Sequence, residues 1–98
     1  MYMLDKIRAR RDEIYAVARR HKAERLWVFG SCARREERAD SDVDFIVKFQ
    51  QGTTYADRLN FKLEISDVLE RPTDVISTMQ LMCQPRLARQ VLRERVAI

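Results

Sequence analysis

Two carboxylates near the middle of the chain have the type and spacing of a divalent-metal site. Asp42 and Asp44 open an alternating polar and apolar run over residues 42–49, and Asp40 adds a further acid nearby. Alternate residues of a strand project from the same face, so the two carboxylates lie close together. Like charges at that separation are unfavourable unless a cation lies between them. Mg²⁺ prefers such ligands and completes its shell with water and substrate phosphates, so the pair predicts a site for nucleotide phosphates.

A glycine and a serine supply a complementary phosphate site. Gly30 and Ser31 follow the apolar run at residues 26–29, which is the pattern of a buried strand that ends in a tight turn. Glycine lets backbone N–H groups and the serine hydroxyl approach a phosphate at the positive end of a following helix. Asp74 lies in a later run of strand formers. If that strand pairs with the one carrying Asp44, Asp74 completes the metal shell or accepts the proton of an attacking hydroxyl.

Hydrophobic periodicity predicts the elements that position these residues. In chain order we expect an amphipathic helix over residues 4–20, a strand over 26–29, a short helix over 31–34, a strand over 42–49, a helix over 54–69, a strand over 73–77 and a helix from residue 85. Leu87, Ala88, Val91 and Leu92 are the expected inner face of the last helix. This order predicts an α/β fold in which helices pack on a small sheet.

The composition describes one globular domain, residues 1–98. The chain is 46% hydrophobic and 35% charged, which excludes a disordered protein. No stretch has the length of a membrane span and the N-terminus lacks the apolar block of a secretory signal, so we expect no membrane partner and a cytoplasmic location. Cys32 and Cys83 lack a paired metal-ligand spacing, and we expect both to be free thiols.

Two short motifs carry a resemblance to a known family. Residues 30–34 read G-S-C-A-R, and residues 42–44 read D-V-D before an apolar stretch. This arrangement resembles the signature of the minimal nucleotidyltransferases, within the polymerase-beta-like nucleotidyltransferase superfamily, and the likeness extends over essentially the whole chain. It implies the polymerase-beta-like fold, with helices on a small mixed β-sheet. It also implies Mg²⁺-dependent transfer of a nucleoside monophosphate from a triphosphate, with pyrophosphate leaving.

The same resemblance implies the site residues. The catalytic and metal-binding residues are Asp42, Asp44 and Asp74, and those that contact the nucleotide are Gly30, Ser31 and Arg34. Arg34 has an alternative role, in which it pairs with Asp40 or Glu37 instead of the nucleotide. Family members commonly carry glycine directly after the motif arginine, whereas this chain has Arg35. Arg35 either narrows access to the phosphates or adds a phosphate contact.

Stand-alone chains this short are similar to antitoxins encoded beside a HEPN-type ribonuclease toxin. The resemblance therefore implies an antitoxin of a type VII HEPN/MNT module, which transfers AMP from ATP to a tyrosine of its toxin and forms a hetero-oligomer with it. One alternative is neutralisation by binding alone, which Arg35 and the basic stripe Arg86, Arg89 and Arg93 motivate. Another is adenylyl transfer to a small molecule such as an aminoglycoside. Nothing in the sequence indicates DNA binding.

Overall fold

Four strands and six helices position the candidate site. A computed structural model describes residues 1–98. Its elements, in chain order, are α1 (Met3–Ala9), α2 (Arg11–Arg20), β1 (Ala23–Phe29), α3 (Gly30–Ala33), β2 (Val43–Phe49), α4 (Tyr55–Leu69), β3 (Thr73–Ser77), α5 (Thr78–Met82), α6 (Pro85–Glu94) and β4 (Val96–Ala97). None of the helices is long and apolar enough to span a lipid bilayer.

The strands form one mixed sheet in the order β3-β2-β1-β4. β2 lies in the middle, antiparallel to β1 and parallel to β3. Asp44 of β2 stands opposite Phe29 on one side and opposite Asp74 on the other. The predicted small mixed sheet, and the predicted pairing between the strands of Asp44 and Asp74, are confirmed.

Both faces of the sheet are covered by apolar side chains. On one face, the inward residues of β1 and β2 join α1, α2 and α4 in a core cluster of 16 buried residues. On the other face, Ile46 of β2 packs with Leu81 of α5 and Val91 of α6. Ile46 shares its face with Asp44, so α5 and α6 cover that face farther along the strand and the carboxylate lies at its open end.

A capping box marks the start of α4, and an interruption at Arg10 divides the first predicted helix into two. The expected capping box of Thr54 and Asp57 starts α4. The expected helix over residues 4–20 is wrong in one respect, because it is interrupted at Arg10. No glycine or proline marks this interruption, and Ile14 and Ile7 keep one helical phase across it, so periodicity could not locate it.

Two elements and one exposed residue differ from the sequence prediction. The helix α5 begins at an unpredicted capping box of Ser77 and Gln80, and β4 adds a short antiparallel edge beside β1. Leu92 was expected inside α6 but is 56% exposed. The prediction was wrong because α6 lies on the smaller cluster through Leu87, Ala88 and Val91, which leaves Leu92 beside the contact.

Arg71 holds the loop that leads into β2. Its Nη1 donates to the carbonyl of Arg38 at 3.3 Å and to that of Ser41 at 3.0 Å. The loop is closed on itself, since Arg38 N–H donates to Ser41 Oγ and Ser41 N–H donates to Arg38 O. Val43 N–H donates to the carbonyl of Pro72, the next residue after Arg71. These bonds fix the chain on both sides of Asp42.

We expect Arg71→Met to lower the free energy of unfolding by about 1–3 kcal/mol, because two carbonyls lose a charged donor. Urea denaturation measures this loss. The matched control is Arg8→Met, since Arg8 is exposed on α1 and makes no side-chain hydrogen bond or ion pair. Equal losses in the two variants would contradict a loop-holding role for Arg71.

Candidate active site

The turn between β1 and α3 requires a glycine for two reasons. Gly30 has φ +72°, a left-handed conformation that side chains disfavour. A Cβ on this residue would also lie 2.7 Å from Oδ2 of Asp44. The residue before it, Phe29, provides no side-chain cap for α3. The turn therefore brings the backbone of Gly30 against the Asp44 carboxylate at the start of α3, and phosphate binding by Gly30 and Ser31 stays a prediction.

Asp44 is the most enclosed of the three predicted metal ligands. It is the second residue of β2 and is half-buried, whereas Asp42 lies just before the strand and is exposed. The pKa of Asp44 is raised, first because burial disfavours its charged form and then because the carboxylates of Asp74 and Asp42 repel it. Asp42 and Asp74 are thus both close enough to act electrostatically on Asp44.

Asp74 reaches the site from β3. Its register opposite Asp44 in the parallel pair places both side chains on one face of the sheet. The Asp74 side chain is 62% exposed, and its Oδ1 lies 3.6 Å from Nζ of Lys62 on α4. Asp74 is therefore the outermost carboxylate of the sheet, on its edge strand, and is open to an incoming group.

The donor set fits magnesium. Asp42, Asp44 and Asp74 offer only hard carboxylate oxygens, which Mg²⁺ prefers. No three acidic, histidine or cysteine side chains in the chain form a ready-made metal cage. Mg²⁺ seldom needs one, because it is usually held by one or two carboxylates together with water and substrate phosphates. Burial and, after it, repulsion by Asp74 and Asp42 raise the pKa of Asp44, and a bound cation would offset the repulsion.

Arg34 is paired with two acidic side chains. It follows α3 as the C-cap residue, and its guanidinium donates to Glu36 at 3.1 Å and to Glu94 of α6 at 2.8 Å. The expected alternative of a pair with Asp40 or Glu37 was wrong in its partners, which are Glu36 and Glu94. A nucleotide contact by Arg34 stays a prediction, since it would require these exposed ion pairs to open.

Arg35 and Cys32 have structural explanations. Arg35 has φ +56°, in the left-handed region that glycine adopts at the lowest energetic cost. This conformation explains why a glycine suits this position. Its guanidinium donates to Asp5 of α1 at 3.1 Å. Cys32 is buried in the core, and burial raises the pKa of its thiol to about 11. A neutral thiol fills space and is a poor nucleophile.

Sequence reasoning missed two residues that act on the site. Arg71 holds the loop beside Asp42, and Lys62 contacts Asp74. Neither stands in a motif, and both contacts join segments that are distant in the chain. Arg71 follows the end of α4 and Lys62 lies on the polar side of its helical pattern, so only the fold reveals these partners.

Sequence comparison identifies relatives over most of the chain. The sequence profile of the family described as "Polymerase beta, Nucleotidyltransferase" matches residues 12–98. A Methanocaldococcus jannaschii protein, named as a candidate protein adenylyltransferase, is 31% identical over 86 residues that cover 88% of this chain and 90% of that protein.

Solved structures show the same fold. One described as a candidate minimal nucleotidyltransferase is 41% identical, has a TM-score of 0.84 and covers 100% of this chain and 97% of its own. A toxin-antitoxin complex with AMP-PNP has a TM-score of 0.71 at 19% identity, covering 88% of this chain and 69% of its own. The complex of a tri-AMPylated Shewanella oneidensis HEPN toxin with its MNT antitoxin has a TM-score of 0.67 at 16% identity, covering 92% and 69%.

The last two likenesses, at such low identity, show the fold alone. The profile match and the more identical relatives carry the assignment, and they agree with the placement of Gly30, Asp44 and Asp74 around one turn. The resemblance seen in the sequence is confirmed. This chain belongs to the polymerase beta nucleotidyltransferase family.

Proposed function

We propose that this chain is a Mg²⁺-dependent protein adenylyltransferase that moves AMP from ATP to a tyrosine of a HEPN-type toxin and so acts as its antitoxin. The observation that carries the proposal is the packing of Gly30 against the carboxylate of Asp44, with Asp74 in register beside it. A phosphate turn and an acidic cluster in contact are what a nucleoside triphosphate and its cation require.

The names of the relatives support the acceptor and the partner. The M. jannaschii relative carries the name of a protein adenylyltransferase, and structures of the same fold are antitoxins in complex with a HEPN toxin, one of them with the toxin AMPylated. A complex with AMP-PNP supports ATP as the nucleotide. We extend both properties to this chain as part of the proposal.

Each site residue has a defined role in the proposed transfer. The N–H groups at Gly30 and the Ser31 hydroxyl hold the triphosphate. Mg²⁺ held by Asp42, Asp44 and Asp74 would supply positive charge against the phosphates. The tyrosine oxygen forms a bond to the α-phosphorus while the bond to pyrophosphate breaks, and Asp74, an exposed carboxylate on the edge strand, accepts the phenolic proton.

Arg35 does not obstruct this site. The guanidinium is bonded to Asp5, on the α1 side of the loop, and the left-handed backbone at residue 35 is already accommodated. Substitution of glycine by arginine at this position is therefore compatible with turnover.

A second candidate function is neutralisation of the toxin by binding alone. The exposed face of α6 favours it, because Arg86, Arg89 and Arg93 lie there together with the exposed Leu92. A helix face that combines basic and apolar side chains suits a protein partner. The two candidates differ in whether the carboxylates are needed.

The direct test mixes the chain with the product of the adjacent open reading frame, ATP and Mg²⁺. Intact-protein mass spectrometry should show the mass of AMP added to the partner, at a tyrosine. Asp44→Asn should slow the addition by about 100-fold or more, since a preorganised electrostatic contact is lost. Asp67→Asn is the matched control, because Asp67 is exposed on α4 and has no side-chain partner.

Absence of AMP addition with any nucleoside triphosphate would sink the enzymatic proposal. Neutralisation of the toxin in cells then separates the two candidates. If an Asp42→Asn, Asp44→Asn double variant still neutralises fully, binding alone suffices; if neutralisation is lost while the complex still forms, transfer is required.

Stability should depend on pH through Asp44. Its raised pKa means that folding favours the protonated carboxyl, so the free energy of unfolding falls as pH rises from the unfolded-state pKa of about 4 through the folded-state pKa. Asp44→Asn should therefore raise the thermal midpoint by a few degrees at about pH 7 and leave it unchanged at about pH 3, where Asp44 is protonated in both states.

Added Mg²⁺ should raise the midpoint of the wild-type chain and have little effect on Asp44→Asn, because the ion binds only the folded carboxylates. Differential scanning calorimetry measures both shifts. An Asp44→Asn variant that is less stable than wild type at about pH 7 without Mg²⁺ would contradict a raised pKa of Asp44 in the folded state.

The two glycines of the chain allow a matched test of the phosphate turn. Gly30→Ala and Gly52→Ala both place a side chain at positive φ, at a cost of about 1–2 kcal/mol. Only at Gly30 would the new Cβ meet Asp44, whereas nothing lies within 4 Å at Gly52. We expect calorimetric ATP binding to be lost in Gly30→Ala and kept in Gly52→Ala. Equal ATP affinity in both variants would place the nucleotide elsewhere.

A further inference from the structure

The outer edge of β3 is unpaired. β3 is the last strand of the sheet on this side and bonds only β2. Outside that ladder, the backbone N–H and C=O groups of residues 73–76 make no hydrogen bond within the chain. An unpaired strand edge is a template for an extended segment of another chain, since the segment gains main-chain hydrogen bonds.

A segment on this edge would run past Asp74. Strands in a sheet lie about 4.8 Å apart, and side chains directly opposite each other on one face have Cβ atoms about 5 Å apart. Asp74 shares its face with Asp44 and is exposed. A residue of the segment opposite Asp74 would therefore place its side chain on the catalytic face, beside the outermost carboxylate.

The two residues of the segment on either side of the one opposite Asp74 would point to the other face of the sheet. On that face a groove lies between β3 and α4. The groove has a volume of about 160 Å³ and is lined by Tyr55, Arg58, Leu59, Lys62, Val75 and Gln80. Tyr55 is 72% exposed and Leu59 is 40% exposed, so this apolar surface is accessible. No acidic residue lines the groove, and its two charged residues are cations.

The spacing of the two cations matches an extended segment. Arg58 and Lys62 are one helical turn apart, about 6 Å along α4. The two residues that flank a central residue of a strand are about 7 Å apart and point to the same face. Acidic residues at both flanking positions would each meet one cation, so the charges complement a segment of the form acidic-X-acidic.

Lys62 connects this groove to the catalytic face. It belongs to α4, which packs on one face, yet its Nζ lies 3.6 Å from Oδ1 of Asp74 on the other. Its side chain therefore passes the outer edge of β3. An acidic residue arriving in the groove would compete with Asp74 for this ammonium.

We propose that the outer edge of β3 and the groove beside α4 bind an extended segment of the protein acceptor, with its tyrosine opposite Asp74 and acidic residues on both sides of that tyrosine facing Arg58 and Lys62. The inference rests on the proposed adenylyl transfer for the identity of the acceptor. It names the surface that the acceptor occupies and the sequence that the surface prefers.

Peptide binding to the full-length chain tests the proposal without ATP or metal. The probes are two synthetic nine-residue peptides with a central tyrosine, flanked on both sides by glutamate in one and by lysine in the other. In ¹⁵N–¹H spectra, the glutamate peptide should shift the amides of β3 and of α4 around Arg58. We expect it to bind about 10-fold more tightly than the lysine peptide, since two ion pairs become repulsions.

Two variations sharpen the test. N-methylation of alternate peptide amides should abolish binding for one set of positions and leave it intact for the other, because only one set faces β3. Arg58→Glu should remove the preference for glutamate flanks. Arg19→Glu on α2 is the matched control and should not change it, since Arg19 is exposed on a different helix and its side chain has no partner.

Four results would overturn the docking surface: equal affinity for both peptides, amide shifts centred on α6, an Arg58→Glu variant that keeps the glutamate preference, or N-methylation without effect at either set. A concentration-dependent dimer through β3, or tighter binding of a single-stranded oligonucleotide at the same amides, would also overturn it. Failure of the proposed function is a separate result. Unchanged AMP transfer in Arg58→Glu removes the docking surface and keeps the enzyme, whereas peptide binding without AMP transfer to any acceptor keeps the surface and removes the enzyme.

Discussion

The register of β2 between its two neighbours decides where chemistry can occur in this chain. Asp44 stands opposite Phe29 of β1, which brings it against Gly30, and opposite Asp74 of β3, which brings the third carboxylate beside it. A slip of one residue would turn Asp44 into the apolar core and Val43 toward the turn. The buried side chains Val43, Phe45 and Val47 prevent that slip, so core packing and the site geometry depend on the same alternation.

This geometry destabilises the charged form of Asp44 in the folded chain. Burial and two neighbouring carboxylates raise the pKa of Asp44, which means that its charged form is destabilised. Contacts on both sides of Asp44 hold this carboxylate in place. Arg71 and the carbonyl of Pro72 hold the chain before and at the start of β2, and Gly30 leaves room for the carboxylate on the other side. Such strain is typical of sites in which a bound ligand supplies the missing opposite charge.

Local patterns were sufficient to predict most of the fold, and long-range contacts account for what they missed. Alternation identified β2, and the capping box of Thr54 identified the start of α4, because both signals lie within a few residues. The break at Arg10 and the exposure of Leu92 were not predictable, since they depend on how α1, α2 and α6 meet the sheet. Lys62 illustrates the same limit at the site, as its partner Asp74 belongs to another element.

The motif residues also differ in how much of their surroundings the sequence could predict. The motif located the turn and the carboxylates, which the fold brings together, but it did not identify the partners of Arg34. The ion pairs of Arg34 with Glu36 and Glu94 join the end of α3 to α6 across the surface. Exposed pairs of this kind contribute only about 0–1 kcal/mol each. The turn is therefore positioned by the β1–β2 register and by packing, since Phe29, the residue before Gly30, lies on the smaller cluster of Ile46, Leu81 and Val91. In the proposed function, a partner on α6 and a nucleotide at Gly30 would therefore be coupled through this shared apolar cluster and only weakly through the ion pairs of Arg34.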